Sequence, residues 1–190
     1  MSPAPGFRVV GTTPVSRAGF LSLETRHVVA PDGSTFDRHV VRHPGAVVVV
    51  PLDGDEAVLV RQFRAAVGSE VLELPAGKRD VPGEPPEVTA ARELEEEIGC
   101  RAAAIEPLCE FYNSPGFTDE HTFVFLASGL TETGRAAVTH EEAEIEIVRV
   151  PLAAVDDLIA DGTLADAKTI IGLLLARDRR PGAGPVHPRP

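Results

Sequence analysis

The stretch AARELEEEIGC, residues 90–100, places four glutamates within five positions of a predicted helix. Glu93, Glu96 and Glu97 stand three and four residues apart, so their carboxylates leave the same side of the helix. Like charges at this spacing repel each other. Solvated helices usually interleave lysine at this spacing, yet the whole chain contains only two lysines. The stretch therefore raises the question of which cation relieves the repulsion.

The other side of the same helix is apolar. At about 100° per residue, Leu94 and Ile98 fall away from the three carboxylates, together with Ala91 and Val88. Glu95 falls within this apolar arc, and nothing in the sequence accounts for it. An acidic helix can simply be a solvated surface. A hard divalent cation such as Mg²⁺ would instead cancel the repulsion, because it takes oxygen ligands and keeps positions open for water and phosphate.

The composition limits the class of protein. At 190 residues, the chain is long enough for one domain with one core. Its formal net charge of −11 argues against nucleic acid or an anionic membrane as a partner. The sequence has no apolar run of membrane-spanning length and no signal peptide, so we expect a cytoplasmic protein. Cys100 and Cys109 form no C-x-x-C pair, and we expect both to be buried thiols.

The first half of the chain is rich in predicted strands. Val, Phe and Leu dominate these runs, and Asp-Gly turns separate several of them. The predicted strands are FLSLETRHVV (20–29), FDRHVVRH (36–43), GAVVVVPL (45–52), AVLVRQF (57–63) and VGSEVLELPAG (67–77). The first two, joined by the turn PDGS, form a predicted N-terminal antiparallel β hairpin.

The acidic stretch belongs to a helix predicted over residues 86–98. Pro85 and Pro86 suit its first turn, and Gly99 supplies its C-terminal stop. Further strands are predicted at 104–114, 121–128 and 142–152, and further helices at 152–162 and 165–178.

This order of elements predicts an α+β sandwich with a mixed sheet. Residues 1–43 form a predicted N-terminal β region, and residues 44–178 form the main domain. The tail RRPGAGPVHPRP, residues 179–190, is rich in Pro and Gly, and we expect it to be disordered.

Residues 77–100, GKRDVPGEPPEVTAARELEEEIGC, resemble the Nudix box, G-x5-E-x7-R-E-U-x-E-E-x-G-U with U aliphatic. The matching positions are Arg92, Glu93, Leu94, Glu96, Glu97 and Gly99, with Glu84 seven intervening residues before Arg92. Six residues rather than five separate Gly77 from Glu84, and Cys100 takes the last aliphatic position. The chain is thus identified as a member of the Nudix hydrolases, with the loop of the box lengthened by one residue.

The resemblance implies a fold and a chemistry. Nudix proteins are α/β/α sandwiches that hydrolyse a nucleoside diphosphate linked to another moiety, and their box glutamates hold Mg²⁺ or Mn²⁺, two or more ions per site. Such cations neutralise the charge that blocks attack on a diphosphate, and they lower the pKa of bound water. The repulsion between the glutamates of AARELEEEIGC would then favour metal binding, because a bound cation removes it.

Sequence features outside the box resemble the ADP-ribose pyrophosphatases of this family. Pro115, in SPGFTDE (114–120), lies fifteen residues after Cys100, where that subfamily has a proline marker. RQFR (61–64) and ELPAG (73–77) resemble the subfamily too. The expected reaction is therefore metal-dependent hydrolysis of ADP-ribose to AMP and ribose 5-phosphate.

The resemblance also implies metal-site roles. Glu93 and Glu97 would bind metal together with the carbonyl of Ala76, with Glu96 as a further or supporting ligand. Arg92 would orient a glutamate, because its fork can hold a carboxylate through two hydrogen bonds. These residues form the expected catalytic face of the box helix.

The resemblance also implies substrate contacts and a general base outside the box helix. Arg64 would meet phosphate, while Ser114, Pro115 and Glu120 would reach the terminal ribose. Phe36 and Arg38 resemble the part that helps to hold adenine across a homodimer. In the segment THEEAEIEI, Glu142 is the expected general base, with Glu141 as its alternative, and Glu144 is a possible extra metal ligand.

Two other functions stay open from sequence alone. One is a Nudix pyrophosphatase for another nucleotide sugar or nucleoside diphosphate derivative. The other is a Nudix-fold sensor that binds a nucleotide without cleaving it. Sensor domains usually lose box glutamates, whereas this chain keeps them all.

Overall fold

A computed structural model describes residues 6–134 and 144–179. The chain forms two compact units. The first contains Met1–Gly45 and Tyr112–His121, and the second contains Ala46–Phe111 and Thr122–Pro190. The tail predicted to be disordered lies outside the described residues, apart from Arg179.

The first unit contains a three-stranded antiparallel sheet in the order β1–β2–β3. Its strands are β1 (Arg8–Ala18), β2 (Leu21–Val29) and β3 (Thr35–Arg42). The predicted hairpin corresponds to β2 and β3, while β1 was not predicted. Register shifts beside Gly11 and Pro14 break its alternation, and nearly all of its residues are exposed, so the period-two pattern of a strand is lost.

The second unit is built on a seven-stranded sheet with the main order β10–β5–β4–β9–β8, in which β6 pairs with β5 and β7 with β4. Its strands are β4 (Ala46–Asp53), β5 (Glu56–Arg64), β6 (Ser69–Glu73), β7 (Ala76–Lys78), β8 (Cys100–Tyr112), β9 (His121–Glu132) and β10 (Glu146–Pro151). Strands β4 and β9 are parallel, whereas β4–β5, β4–β7, β5–β6 and β5–β10 are antiparallel. The mixed sheet predicted from the sequence is confirmed.

Helices cover both faces of this sheet. They are α1 (Pro86–Ile98), α2 (Val155–Ala160, after a 3₁₀ turn at Leu152–Ala154) and α3 (Ala167–Asp178). Alternate valines of β4 separate the two cores: Val47 and Val49 join the apolar residues of α1, and Val48 and Val50 join those of α3. The result is the α/β/α sandwich expected from the sequence. No helix in the described parts of the chain is both long and apolar enough to cross a bilayer.

The limits of α1 agree with the prediction. Pro86 opens the helix, and Gly99 closes it in the left-handed conformation with φ 64°, where its N–H bonds to the carbonyls of Glu95 and Leu94. Glu95 does not enter the core, because Arg101 donates to both of its carboxylate oxygens at 2.6 and 3.0 Å. The glutamate that the helical projection left unexplained is thus an exposed partner of β8.

Candidate functional site

Arg92 is the centre of the acidic face of α1. Its Nη1 lies 2.9 Å from Glu93 Oε1 and 2.9 Å from Glu96 Oε2. Its Nη2 lies 3.7 Å from Glu84 Oε2 and 4.0 Å from Asp80 Oδ1. One guanidinium therefore offsets part of the repulsion between the glutamates.

Two of the three box glutamates are buried. Glu93 and Glu97 are each only 7% exposed, because Leu94 and Ile98 draw this stretch of α1 onto the sheet. Burial raises the pKa of Glu93 to about 7 and that of Glu97 to about 8. Both carboxylates are thus costly to ionise unless a further positive charge joins them.

Strand β7 places a backbone donor against Glu97. The Ala76 N–H donates to Glu97 Oε2 at 3.0 Å. Next to it, Gly77 lies so close to the Glu93 carboxyl that a side chain at position 77 would displace this carboxyl. The short strand between the Pro75 break and the box loop therefore contacts both buried glutamates, while the role of Ala76 as a metal ligand stays a prediction.

The lengthened box loop still delivers Glu84 to this cluster. Thr89, fully buried on α1, donates through Oγ1 to Glu84 Oε2 at 2.7 Å. Arg79 contacts the Glu84 carbonyl at 3.5 Å. With the extra residue in the loop, Glu84 still contacts Thr89 and Arg92 of α1.

This cluster fits a hard divalent cation in its chemistry. Within residues 6–134 and 144–179, no three Asp, Glu, His or Cys side chains converge as they stand on a metal position. The reason is visible in the contacts: Glu93 and Glu96 turn to Arg92, while Glu97 turns to the Ala76 amide. Mg²⁺ and Mn²⁺ take oxygen ligands, and the buried carboxylates of this cluster are ligands of that kind.

Arg64 is bound to an acid that the sequence analysis overlooked. Its Nε and Nη2 donate to Glu73 Oε1 and Oε2 at 2.9 and 2.6 Å. This bond raises the pKa of Arg64 above its ordinary value. Glu73 lies in the middle of the predicted strand 67–77, where nothing in the sequence marks it as a partner of Arg64. Only the pairing of β5 with β6 places the two side chains on the same face of the sheet.

The residues proposed for the adenine and the terminal ribose lie in the first unit. The Arg38 guanidinium stacks 4.3 Å from the ring centroid of Phe36. Ser114 accepts backbone hydrogen bonds from Phe117 and Thr118 at 3.1 and 3.0 Å.

The loop that carries Pro115 is closed by its own contacts. The carbonyl of Glu120 accepts from the Asn113 N–H at 3.1 Å. Asp119 pairs with Arg42 and accepts from the His43 N–H. These bonds order the loop and fix it to the end of β3.

The acidic segment proposed to supply the base is described only in part. Glu142 and its alternative Glu141 lie outside the described residues. Glu144 is exposed and lies in a turn just before β10.

The chain is similar to known proteins in its sequence. A family model described as NUDIX domain matches residues 41–172. An ADP-ribose pyrophosphatase of Mycobacterium tuberculosis (strain ATCC 25618 / H37Rv) is 36% identical over 97% of this chain and 88% of that protein. An ADP-ribose pyrophosphatase of Bacillus subtilis (strain 168) is 39% identical over 78% of this chain and 80% of that protein.

The fold has a match among solved structures as well. A crystal structure of an ADP compounds hydrolase superimposes with a TM-score of 0.84 at 25% identity, covering 97% of this chain and 99% of that one.

Proposed function

Because this chain belongs to the NUDIX family, we propose that it hydrolyses the pyrophosphate bond of ADP-ribose, giving AMP and ribose 5-phosphate. The enzyme is a hydrolase of pyrophosphate bonds in nucleotide sugars. The observation that carries the proposal is the pair of buried carboxylates, Glu93 and Glu97, held beside Arg92 and the β7 backbone. Two similar proteins that share most of this chain are ADP-ribose pyrophosphatases.

The family depends on divalent metal ions, and we propose Mg²⁺ or Mn²⁺ with two or more ions per site. Glu93, Glu96, Glu97 and the Ala76 carbonyl would hold them, with Glu144 as an additional ligand. Bound there, such ions neutralise diphosphate oxygens and lower the pKa of a bound water. The protein's own part is to keep these oxygen donors close together in a desolvated place, which the burial of Glu93 and Glu97 supports.

Arg92 has an orienting role in this proposal. With two glutamates each 2.9 Å from its Nη1, it sets the direction of both carboxylates before a cation arrives. Ions that take Glu93 and Glu96 would leave Arg92 with Glu84 and Asp80 as remaining partners, at 3.7 and 4.0 Å.

Substrate contacts are proposed for residues outside α1. Arg64 would bind phosphate, Ser114, Pro115 and Glu120 the terminal ribose, and Phe36 with Arg38 the adenine. Stacking between Phe36 and Arg38 supports the last role, because a flat cation on a ring extends a surface on which a base can stack. Glu142, or else Glu141, would act as the general base.

We also propose a cytoplasmic homodimer formed through the N-terminal β region, residues 1–43. Several large apolar side chains of this region are more than 45% exposed, which supports an interface with a second copy. They are Phe7, Val9, Val10, Val15 and Phe20. Two free cysteines, Cys100 and Cys109, suit a reducing compartment. Residues 44–178 would then form the catalytic domain.

The test is a substrate panel. The protein would be incubated with ADP-ribose, ADP-glucose, diadenosine polyphosphates, NADH and nucleoside triphosphates, with Mg²⁺ or Mn²⁺, and the products identified by chromatography. We expect AMP and ribose 5-phosphate from ADP-ribose at the highest kcat/KM. Faster turnover of ADP-glucose would assign the enzyme to another nucleotide sugar, and binding without turnover of any compound would indicate a sensor.

A further inference from the structure

Glu73 is a deeply buried acid that the metal-binding face does not use. It ends β6 and is only 4% exposed. Both of its carboxylate oxygens accept hydrogen bonds from Arg64. A buried carboxylate needs such partners, because leaving it unpaired costs the full desolvation penalty of a charge.

The strand register shows how far Arg64 reaches for this bond. Val60 lies opposite Glu73, whereas Arg64 lies opposite Ser69, four residues further along β5. Side chains alternate between faces, so Val60, Gln62 and Arg64 share the face that α1 covers. The arginine therefore runs back along its strand instead of extending into solvent, and Glu73 is what draws it there.

The side chains of Glu73 and Arg64 differ in exposure: the carboxylate is enclosed in the protein, and the guanidinium reaches the surface. The Glu73 side chain is 5% exposed and the Arg64 side chain 40% exposed. Nε and Nη2 of Arg64 donate to Glu73, while the two N–H groups of Nη1 have no hydrogen-bond partner among residues 6–134 and 144–179. A guanidinium held on one edge presents its remaining donors in a fixed plane, the geometry that suits phosphate oxygens.

Other acids near Arg64 already have partners. Glu97 and Asp166 both interact electrostatically with Arg64. Glu97 accepts from the Ala76 N–H at 3.0 Å. Asp166 pairs with Lys168 at 2.5 Å and caps α3 by accepting from the Thr169 N–H at 2.9 Å. Among these three acids, Glu73 is the one whose bonds define where Arg64 lies.

We propose that Glu73 is a positioning residue, which fixes Arg64 beside Glu97 so that the Nη1 edge binds the diphosphate of the substrate. This inference rests on the proposed function, because it assumes a diphosphate next to the acidic face of α1. Glu73 itself does not touch the substrate. Its effect is transmitted through Arg64, and it should therefore disappear when Arg64 is changed.

A double-mutant cycle tests this dependence. The variants are Glu73→Gln, Arg64→Gln and the double variant, assayed for kcat and KM with ADP-ribose at saturating Mg²⁺. We expect each single change to raise KM about tenfold and to change kcat about threefold at most, the pattern of lost substrate binding. The double variant should be no worse than Arg64→Gln alone, because the two residues act as one unit.

The chain offers a matched control in Arg61 and Glu146. This Arg–Glu pair also joins β5 to a neighbouring strand, at 3.0 Å, but its arginine lies on the opposite face of the sheet. Glu146→Gln should leave KM unchanged. If Glu73→Gln does not fold, Arg64→Lys replaces it: the lysine keeps the charge next to Glu73 but lacks the fork, and its KM should also rise about tenfold.

Binding of α,β-methylene ADP-ribose, measured by calorimetry, separates this inference from the proposed function. Wild-type binding of this analogue without cleavage of ADP-ribose would overturn the proposed function alone, since the cycle can then be measured on affinities. Multiplicative losses in the double variant, or a Glu73→Gln enzyme with lower thermal stability and normal KM, would overturn the positioning role. Absence of both analogue binding and ADP-ribose cleavage in the wild type would overturn both.

Discussion

A β-carbon built on Gly77 would lie 1.9 Å from the carboxyl carbon of Glu93. Carbon atoms in contact stay about 3.5–4.0 Å apart, so a side chain at position 77 would displace the Glu93 carboxyl. The glycine that opens the box therefore has a steric role: it leaves room for the Glu93 carboxyl next to the β7 backbone. This close approach holds Glu93 beneath the β7 backbone, where burial raises its pKa to about 7.

Gly77→Ala should displace Glu93 and impair catalysis. We expect kcat/KM for ADP-ribose to fall by at least ~10²-fold, because a shift of about 1 Å in a catalytic group has effects of that size. Gly172→Ala is the matched control. Its new β-carbon would lie 2.7 Å from Leu74 Cδ1, a clash inside the apolar core of α3. That variant should lose thermal stability and retain kcat/KM at temperatures well below its melting point; equal losses of activity in both variants would contradict the steric role of Gly77.

The stability of the cation-free protein should fall as pH rises through the neutral range. In the unfolded chain Glu93 and Glu97 have the ordinary pKa of 4.5, whereas the folded values are about 7 and about 8. Between these limits the folded state binds more protons than the unfolded state, so raising the pH favours unfolding. Mg²⁺ prefers the ionised carboxylates, and its stabilising effect should grow through the same window.

Melting temperatures measured from about pH 5 to about pH 8.5, with and without Mg²⁺, check this sign. The gap between the two curves should widen as pH rises. The double variant Glu93→Gln/Glu97→Gln provides the control, since its gap should be small at every pH. A gap in the wild type that is the same at pH 5 and pH 8 would show that these two carboxylates do not bind the metal.

Glu97→Gln should separate catalysis from folding. The change keeps the shape of the side chain and an oxygen that can accept from the Ala76 N–H, while it removes a buried carboxyl that is costly to ionise next to Glu93. We expect activity to fall by several orders of magnitude and the cation-free variant to melt no lower than the wild type. Activity assays and calorimetry on the same preparation decide the matter, and wild-type activity would remove Glu97 from the metal site.

Local signals made the acidic helix predictable, while longer-range pairing hid other features. Pro86, Gly99 and the glutamate spacing all lie within residues 86–99, so the sequence alone predicted the limits of α1. Strand β1 escaped prediction because its register shifts erase the alternation that marks a strand. The partner of Glu95 is Arg101, which lies on β8 outside the helix, so a projection of the helix alone could not show this contact.

The candidate site also combines features that local sequence predicts with features that only strand pairing reveals. The acidic face and its link to Arg92 follow from residues close in the chain, and the residue types pointed to them. Glu73 was missed because its contact with Arg64 depends on how β5 and β6 align, and one residue of slip would place it on the other face. Roles for Ser114, Pro115 and Glu120 came from resemblance and stay predictions.

The general base is predicted in the acidic segment before β10. Carboxylates bound to two or three cations keep little basicity, so a separate glutamate must accept the proton of the attacking water. Glu142→Gln should lower kcat by ~10²-fold or more with little change in metal affinity. Glu141→Gln is the comparison, measured at saturating Mg²⁺. Near-normal rates in both variants would return the base to α1.

Thr89 offers a last prediction, about how the box loop is held. Its side chain is fully buried, and Oγ1 donates to Glu84 Oε2 at 2.7 Å. Thr89→Val keeps the shape of the side chain but leaves a largely buried carboxylate with one donor fewer, which should cost about 1–3 kcal/mol in the free energy of unfolding. Thr89→Ser keeps the hydroxyl and loses one methyl group, at a cost of about 1 kcal/mol. Chemical denaturation of the two variants gives the order directly. Serine should be the better replacement if the hydrogen bond to Glu84 fixes the loop, and valine should be the better one if packing of the methyl groups against the sheet is what matters.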